Sequence, residues 1–123
     1  MIFQDPDDQL FMPSVFDDVA FGPRNKGLDE KETVRVAESA LEELKISHLS
    51  SRVPGKLSGG EKKLAALAGV LAMDPSNLLF DEPAAFLDPR AKRRLVSLVR
   101  NLGHTKIIAT HDGDIARQLC SRV

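Results

Sequence analysis

The stretch "LLFDEPAAFLDP", residues 78 to 89, decides how the rest of the chain is read. Leu78, Leu79 and Phe80 run into two adjacent carboxylates, Asp81 and Glu82, and then into Pro83. A short, fully apolar run of this kind reads as a strand buried on both faces of a parallel sheet. Open α/β sheets bind ligands at the carboxyl ends of their strands, which is where both acids stand. One carboxylate there can hold Mg²⁺, usually through its waters, while the neighbour orients and activates a water attacking phosphorus. Acids are also common as plain solvated residues at strand ends. The pair alone does not decide between these readings.

On its C-terminal side, Asp88-Pro89 is a strong helix start, with Pro89 at the first helical position. That helix carries Leu95, Leu98, Val99 and Leu102 inward and stops at Gly103. Lys106 to Thr110 is the next strand, and Asp112 begins a last helix through Ile115 and Leu119. On the N-terminal side, "LSGGEKKLAALAGVLAM" (residues 57 to 73) opens with a capping box of Ser58 and Glu61. Leu64, Leu67, Ala68 and Leu71 form its buried stripe. Alternating helix and strand in this half argue for α/β with parallel strands.

The first half reads differently. Asp5 to Gln9 is a turn around Pro6. Ser14-Val15-Phe16-Asp17 resembles a capping box and opens a short helix ending near Gly22-Pro23, with Pro23 to Leu28 a loop. Asp29-x-x-Glu32 opens a second helix with Val34, Ala37, Leu41 and Leu44 on one face, and Ser47 to Leu57 is a connection. Met1-Ile2-Phe3 runs into Gln4-Asp5-Pro6 with nothing before it, and two strands do not make a stable sheet. An incomplete α/β core, with an earlier portion missing, is the expectation.

The composition is that of a soluble globular protein: 123 residues, 42% hydrophobic and 28% charged. The length suits one domain. With Lys+Arg 17 against Asp+Glu 18, the net charge of -1 gives no basic face for nucleic acid. The longest apolar stretch, Ala65 to Met73, is far short of the roughly 20 residues that span a bilayer. No signal peptide is visible, since Gln4, Asp5, Asp7 and Asp8 replace its basic start and apolar run. The single Cys120 excludes an internal disulfide and reads as packing on an apolar helical face.

Two further features bear on chemistry. Ser58-Gly59-Gly60 begins a helix without side-chain bulk on its first turn, so free N–H groups and the positive end of the dipole face outward. Any capped helix start shares that property. His111 follows a strand and stands at the same sheet edge as Asp81 and Glu82, where neutral imidazole can bond a phosphate or a water. His48 and His104 have no such context. Gln4 is either a contact to metal or water, or an exposed loop amide.

Taken together and in order, these residues resemble the ATP-binding cassette ATPases. Gln4 resembles the Q-loop, Leu57-Ser58-Gly59-Gly60-Glu61 the signature, Leu78 to Pro83 the Walker B strand, Leu87-Asp88 the D-loop and His111 the H-loop. Within that family "FQDPDDQLF", "DVAFGP" and "LSGGEKK...LAGVLAMDP" resemble the cobalt/nickel and energy-coupling-factor importers. The resemblance implies an incomplete P-loop NTPase core, with the Q-loop and helical subdomain over residues 1–57 and the signature helix and α/β part over 58–123. It also implies ATP and Mg²⁺ as ligands. Glu82 would be the general base, Asp81 the Mg²⁺ partner, His111 a γ-phosphate contact and Gln4 a γ-phosphate and metal sensor. Ser58, Gly59 and Gly60 would close over ATP held by a second ATPase subunit, identical or different, with Asp88 crossing between the two. Gln9 to Leu44 would receive a transmembrane subunit, reached together with Gln4, at the cytoplasmic face of the membrane.

The phosphate loop of such enzymes, Gly-x-x-x-x-Gly-Lys-Ser/Thr, is not in the sequence. Gly22 to Gly27 and Gly55 to Gly60 have the glycine spacing, but Leu28-Asp29 and Glu61-Lys62 follow them. Negligible nucleotide affinity is therefore expected of the chain by itself. Ala84-Ala85, Phe86 and Leu64 depart from the commoner family residues without touching Asp81, Glu82 or His111. Two functions are in play: part of an ATP-hydrolysing importer subunit, or a non-catalytic dimerisation and regulatory module for an intact ATPase. A DNA-repair or chromosome-structure ATPase is disfavoured, because the segment between Gln4 and Ser58 is short and lacks sustained heptads.

Overall fold

A computed structural model describes residues 10–73, 77–81, 87–101 and 105–109. The elements are α1 (Val15–Asn25), α2 (Glu30–Glu43), α3 (Gly59–Leu71), β1 (Asn77–Asp81), α4 (Pro89–Arg100) and β2 (Thr105–Ala109). β1 and β2 pair in parallel, with Leu79 opposite Ile107 and Asp81 opposite Ala109. The α/β reading of the second half holds, with β2 beginning one residue earlier than expected. The expected helix after Asp112 and the turn at 5–9 lie outside the described residues, as does Cys120.

Each described α-helix begins on a side chain that the sequence puts there for a local reason. An unpaired first-turn N–H is costly, and a serine or aspartate just before the helix satisfies one. Ser14 Oγ accepts from Asp17 N at 3.1 Å and Asp29 Oδ1 from Glu32 N at 2.8 Å. α1 adds a tertiary solution: Val15 N donates to Arg52 O and Phe16 N to Ser50 O, each at 2.9 Å. The connection before α3, which contains single 3-10 turns at Ser47–Leu49 and Pro54–Lys56, is thereby tied to the start of α1.

α1 does not end at Gly22-Pro23 but runs through Pro23 to Asn25. Its end is set one turn later by Gly27, at φ +89, where Leu28 N bonds Pro23 O and Gly27 N bonds Arg24 O. That is a Schellman closure, and glycine is the residue that adopts its left-handed position without cost. Pro23, the third residue from the helix end, removes one N–H there and its own carbonyl accepts the closing bond from Leu28 N. Lys26 Nζ then donates to Met73 O at 3.0 Å, joining the end of α1 to the end of α3.

α2 closes the same way with a different residue. Ile46 N bonds Leu41 O at 2.9 Å and Lys45 N bonds Glu42 O at 3.0 Å, which puts Lys45 at φ +60. Leu41 and Ile46 are both buried, the apolar contact that accompanies this motif. The inward face of α2 starts at Thr33, not Val34. Thr33 is fully buried and its hydroxyl donates to Leu28 O at 3.4 Å, whereas Val34 is only half-buried.

α3 is the centre. Leu64, Leu67, Ala68 and Leu71 are buried as the spacing predicts, but so are Lys63, Ala65 and Ala66, because α1, α2 and α4 all pack on it. Val15, Val19, Ala37, Leu41, Leu44 and Val99 complete the core from the other helices and from the turn after α2. On α4, Leu95, Val96 and Val99 are buried while Leu98 is half-buried; Leu102 lies outside the described residues. Burial of a leucine of this kind is worth about 2 kcal/mol of transfer free energy.

Ahead of α1, Asp18 Oδ1 accepts from Phe11 N and Met12 N, both at 3.1 Å, while its Oδ2 is buried with no partner among the described residues. Desolvation raises the carboxyl above its ordinary range, opposed by those two backbone donors. Asp18→Ala should cost about 1–2 kcal/mol, since both donors lose their acceptor; Asp18→Asn, which keeps the acceptor and drops the charge, should cost less than half of that by chemical denaturation. At Lys45, replacement by glycine removes left-handed strain and should stabilise the fold by about 0.5–1 kcal/mol, read as a higher urea midpoint at unchanged slope.

Candidate functional site

The site grows from two helix starts that meet. Ser58 caps α3: its Oγ accepts from Glu61 N at 3.2 Å, and Glu61 Oε1 accepts from Ser58 N at 2.9 Å. This is the full capping box anticipated from the sequence. Asp88 caps α4 through Oδ1, accepting from Ala91 N at 2.8 Å, with Pro89 next in line. Both caps are local, so each could be read from four residues.

The tertiary fold puts the two starts side by side. Ser58, Gly60, Glu61, Leu64, Asp88, Arg90, Ala91 and Arg94 line one cleft of about 220 Å³. Gly60 lies directly against α4: a Cβ on it would come within 3.0 Å of the Ala91 Cβ. A Cβ on Gly59 would meet Leu87 at an ordinary 3.9 Å. Leu64 sits at the cleft floor, 3% exposed, where an arginine would have to bury its charge. Arg94 reaches across to donate to Lys45 O at 3.4 Å, linking α4 to the end of α2.

Arg90 and Arg94 line the cleft beside two carboxylates that are engaged as caps, Glu61 accepting from Ser58 N and Asp88 from Ala91 N. Hydrogen bonding from Ser58 N holds the Glu61 carboxyl below its ordinary value, aided by the nearby charges of Arg52 and His48. First-turn N–H groups at Gly59, Gly60 and Arg90 have no intrahelical carbonyl within reach, and both helix dipoles point their positive ends at the same space. A phosphate group approaching from solvent would meet donors without side-chain bulk in the way.

Of the residues singled out in the sequence, Ser58, Gly59, Gly60 and Asp88 are brought together here. Asp81 ends β1, at the carboxyl edge of the parallel pair, as expected of a strand-end acid. Gln4, Glu82 and His111 lie outside the described residues. Arg90, Ala91 and Arg94 were not singled out; a helical repeat from Asp88 puts Ala91 and Arg94 on its own side, but only the packing of α4 on α3 shows that side to be the cleft.

Comparison with known proteins follows the same line. The sequence profile of the ABC transporter family matches residues 1–85. The energy-coupling factor transporter ATP-binding protein EcfA of Carboxydothermus hydrogenoformans is 50% identical over 119 residues, 94% of this chain and 44% of that protein. Among solved structures, cbiO1 of Clostridium perfringens, part of the ABC transporter complex cbiONQ, superposes with a TM-score of 0.89 at 46% identity. That match covers 97% of this chain and 49% of cbiO1. The dimeric ATP-binding cassette MJ0796, bound to ADP and Pi in a post-hydrolysis state, gives a TM-score of 0.77 at 25% identity, over 95% of this chain and 53% of that one. The chain spans about half the length of the curated relatives it matches.

The capping box carries a pH signature. A depressed carboxyl contributes stability that is full above its unfolded value of 4.5 and lost as pH falls through the folded value. Glu61→Gln should therefore lower the melting temperature at pH 7 and converge on the parent once acid has protonated the carboxyl in the folded state, while Ser58→Ala should cost about 1 kcal/mol at both ends of that range.

Proposed function

The chain belongs to the ABC transporter family, and from that premise we propose that it forms part of the ATP-binding and hydrolysing subunit of an importer. The cargo class is a transition-metal ion such as cobalt or nickel, or a vitamin. The likeness to cbiO1, part of a transporter complex, and to the energy-coupling factor protein EcfA supports the transporter-subunit reading. The observation that carries the reading is the shared cleft of Ser58, Gly60 and Asp88, where two helix starts aim N–H donors at one space.

In this reading Ser58, Gly59 and Gly60 close over the phosphates of ATP bound to a second ATPase subunit, of the same or a different chain. Asp88 reaches toward that subunit from the adjoining cap. A dimeric relative holding ADP and Pi supports the pairing. In the same reading Glu82 takes a proton from the attacking water and His111 contacts the terminal phosphate. Asp81, with Gln4, would hold Mg²⁺, which supplies charge neutralisation for the phosphates when bound. The position of Asp81 at the carboxyl end of a parallel strand fits a magnesium partner. Residues Gln4 to Leu44 face the transmembrane subunit, on the cytoplasmic side of the membrane.

A second reading rests on the same cleft, whose lining among the described residues comes from the two helix starts, residues 58–64 and 88–94. Such a chain would serve as a dimerisation and regulatory module, offering Ser58 and Gly60 to an intact ATPase without turning over nucleotide itself. Mixing the chain with an intact ATPase subunit separates the two, since stimulation of turnover fits the first and inhibition the second. In a reconstitution with a polypeptide that brings the phosphate loop, Glu82→Gln should lower ATP turnover by about 100-fold or more. Turnover that survives the change refutes the base role.

A further inference from the structure

The close approach of Gly60 to Ala91 has a role separate from phosphate access. Gly60 is the second residue of α3 and Ala91 the third of α4, so their contact lies one turn from Ser58 and Asp88, the caps of the two helices. A Cβ at Gly60 would stand 3.0 Å from the Ala91 Cβ and 4.0 Å from its Cα. Ordinary carbon contacts lie near 3.5–4.0 Å, so the helices meet here as closely as a glycine and an alanine allow. Both residues line the cleft. Ala91 also donates the N–H that fixes the Asp88 carboxylate. A shift of Ala91 therefore moves the Asp88 cap with it.

We infer that Ala91 is a positioning residue and that the Gly60–Ala91 contact sets the spacing between the Ser58 and Asp88 helix starts. The inference rests on the proposed reading, in which those two starts face the same second subunit. It assigns Gly60 a duty that its backbone N–H does not cover: absence of bulk toward α4 as well as toward a phosphate. The two duties make different predictions. If bulk at position 60 matters only to an incoming phosphate, nothing done at position 91 repairs an added methyl. If bulk matters to the helix pair, removing the methyl from position 91 makes room for one at position 60.

The test is the methyl swap. Gly60→Ala, Ala91→Gly, the double variant Gly60→Ala/Ala91→Gly and Ala91→Val are made in the 123-residue chain. Alanine is a better helix former than glycine, so Gly60→Ala does not fail through local propensity. Backbone amide shifts of Ser58–Glu61 and Asp88–Ala91 are read first. Gly60→Ala should displace both sets, and the double variant should return the Asp88–Ala91 set toward that of Ala91→Gly alone. The same variants are then mixed with an intact family ATPase subunit and ATP turnover is followed. Gly60→Ala should reduce the chain's effect on kcat by about tenfold with KM little changed, and the double variant should recover to within about threefold. Amide shifts in Gly60→Ala confined to α3, or no recovery in the double variant, overturn the inference. Should Ala91→Val fail to fold, the swap still decides. A chain without effect on any ATPase, combined with recovered amide shifts, leaves the spacing role standing and removes the proposed function instead.

Discussion

Helix α3 has packed neighbours on almost every side, and that burial is the constraint from which the rest of the arrangement follows. A helix surrounded in this way needs small residues where its neighbours press closest. Ala65, Ala66 and Ala68 meet that need along its length. Gly60 does so where α4 crosses, with Ala91 3.0 Å from where its Cβ would be. The same burial covers the middle of α3 from Lys63 to Ala68 and leaves Gly59 at its start exposed, beside the capping Ser58. The most open turn of the helix is therefore the one with unpaired N–H groups.

The ends of α1 and α2 show how closure residues hold that packing. Both helices finish in the same six-residue hydrogen-bond pattern, one through Gly27 and one through Lys45. The glycine is the unstrained solution; the lysine is not. What offsets the strain at Lys45 is the burial of Leu41 and Ile46 on either side, together with the Arg94 bond to its carbonyl. The Arg94 bond to that carbonyl ties α4 to the end of α2 one turn along from Ala91, on the side of α4 that also stands against Gly60.

How far the sequence could be read depended on the range of the interaction. Caps span three or four residues, so Ser14, Asp29, Ser58 and Asp88 were legible as helix starts, and β1 as an apolar run ending in acid. The motif order of Gln4, Ser58, Asp81, Glu82, Asp88 and His111 also pointed to the family. Longer-range effects were not legible. Nothing near Pro23 announces that Gly27, four residues on, will close the helix. Thr33 looks like a surface residue until Leu28 O supplies its partner. The nearness of Gly60 to Ala91 depends on two helices whose starts are 30 residues apart, and only packing reveals it.

That last contact bears on why two glycines stand together after Ser58. Gly59 has room: a methyl there would rest against Leu87 at ordinary distance, so the described residues place no steric demand on it. Gly60 has none to spare. If both glycines served only a ligand, both would be expected to face open space. One of them does not, and its neighbour is the residue that holds the Asp88 cap. The pair thus divides its duties, Gly59 leaving the approach to the helix start clear and Gly60 allowing the second helix start to stand beside the first. A cleft lined by both caps follows from that division, because neither start alone would fix the position of the other.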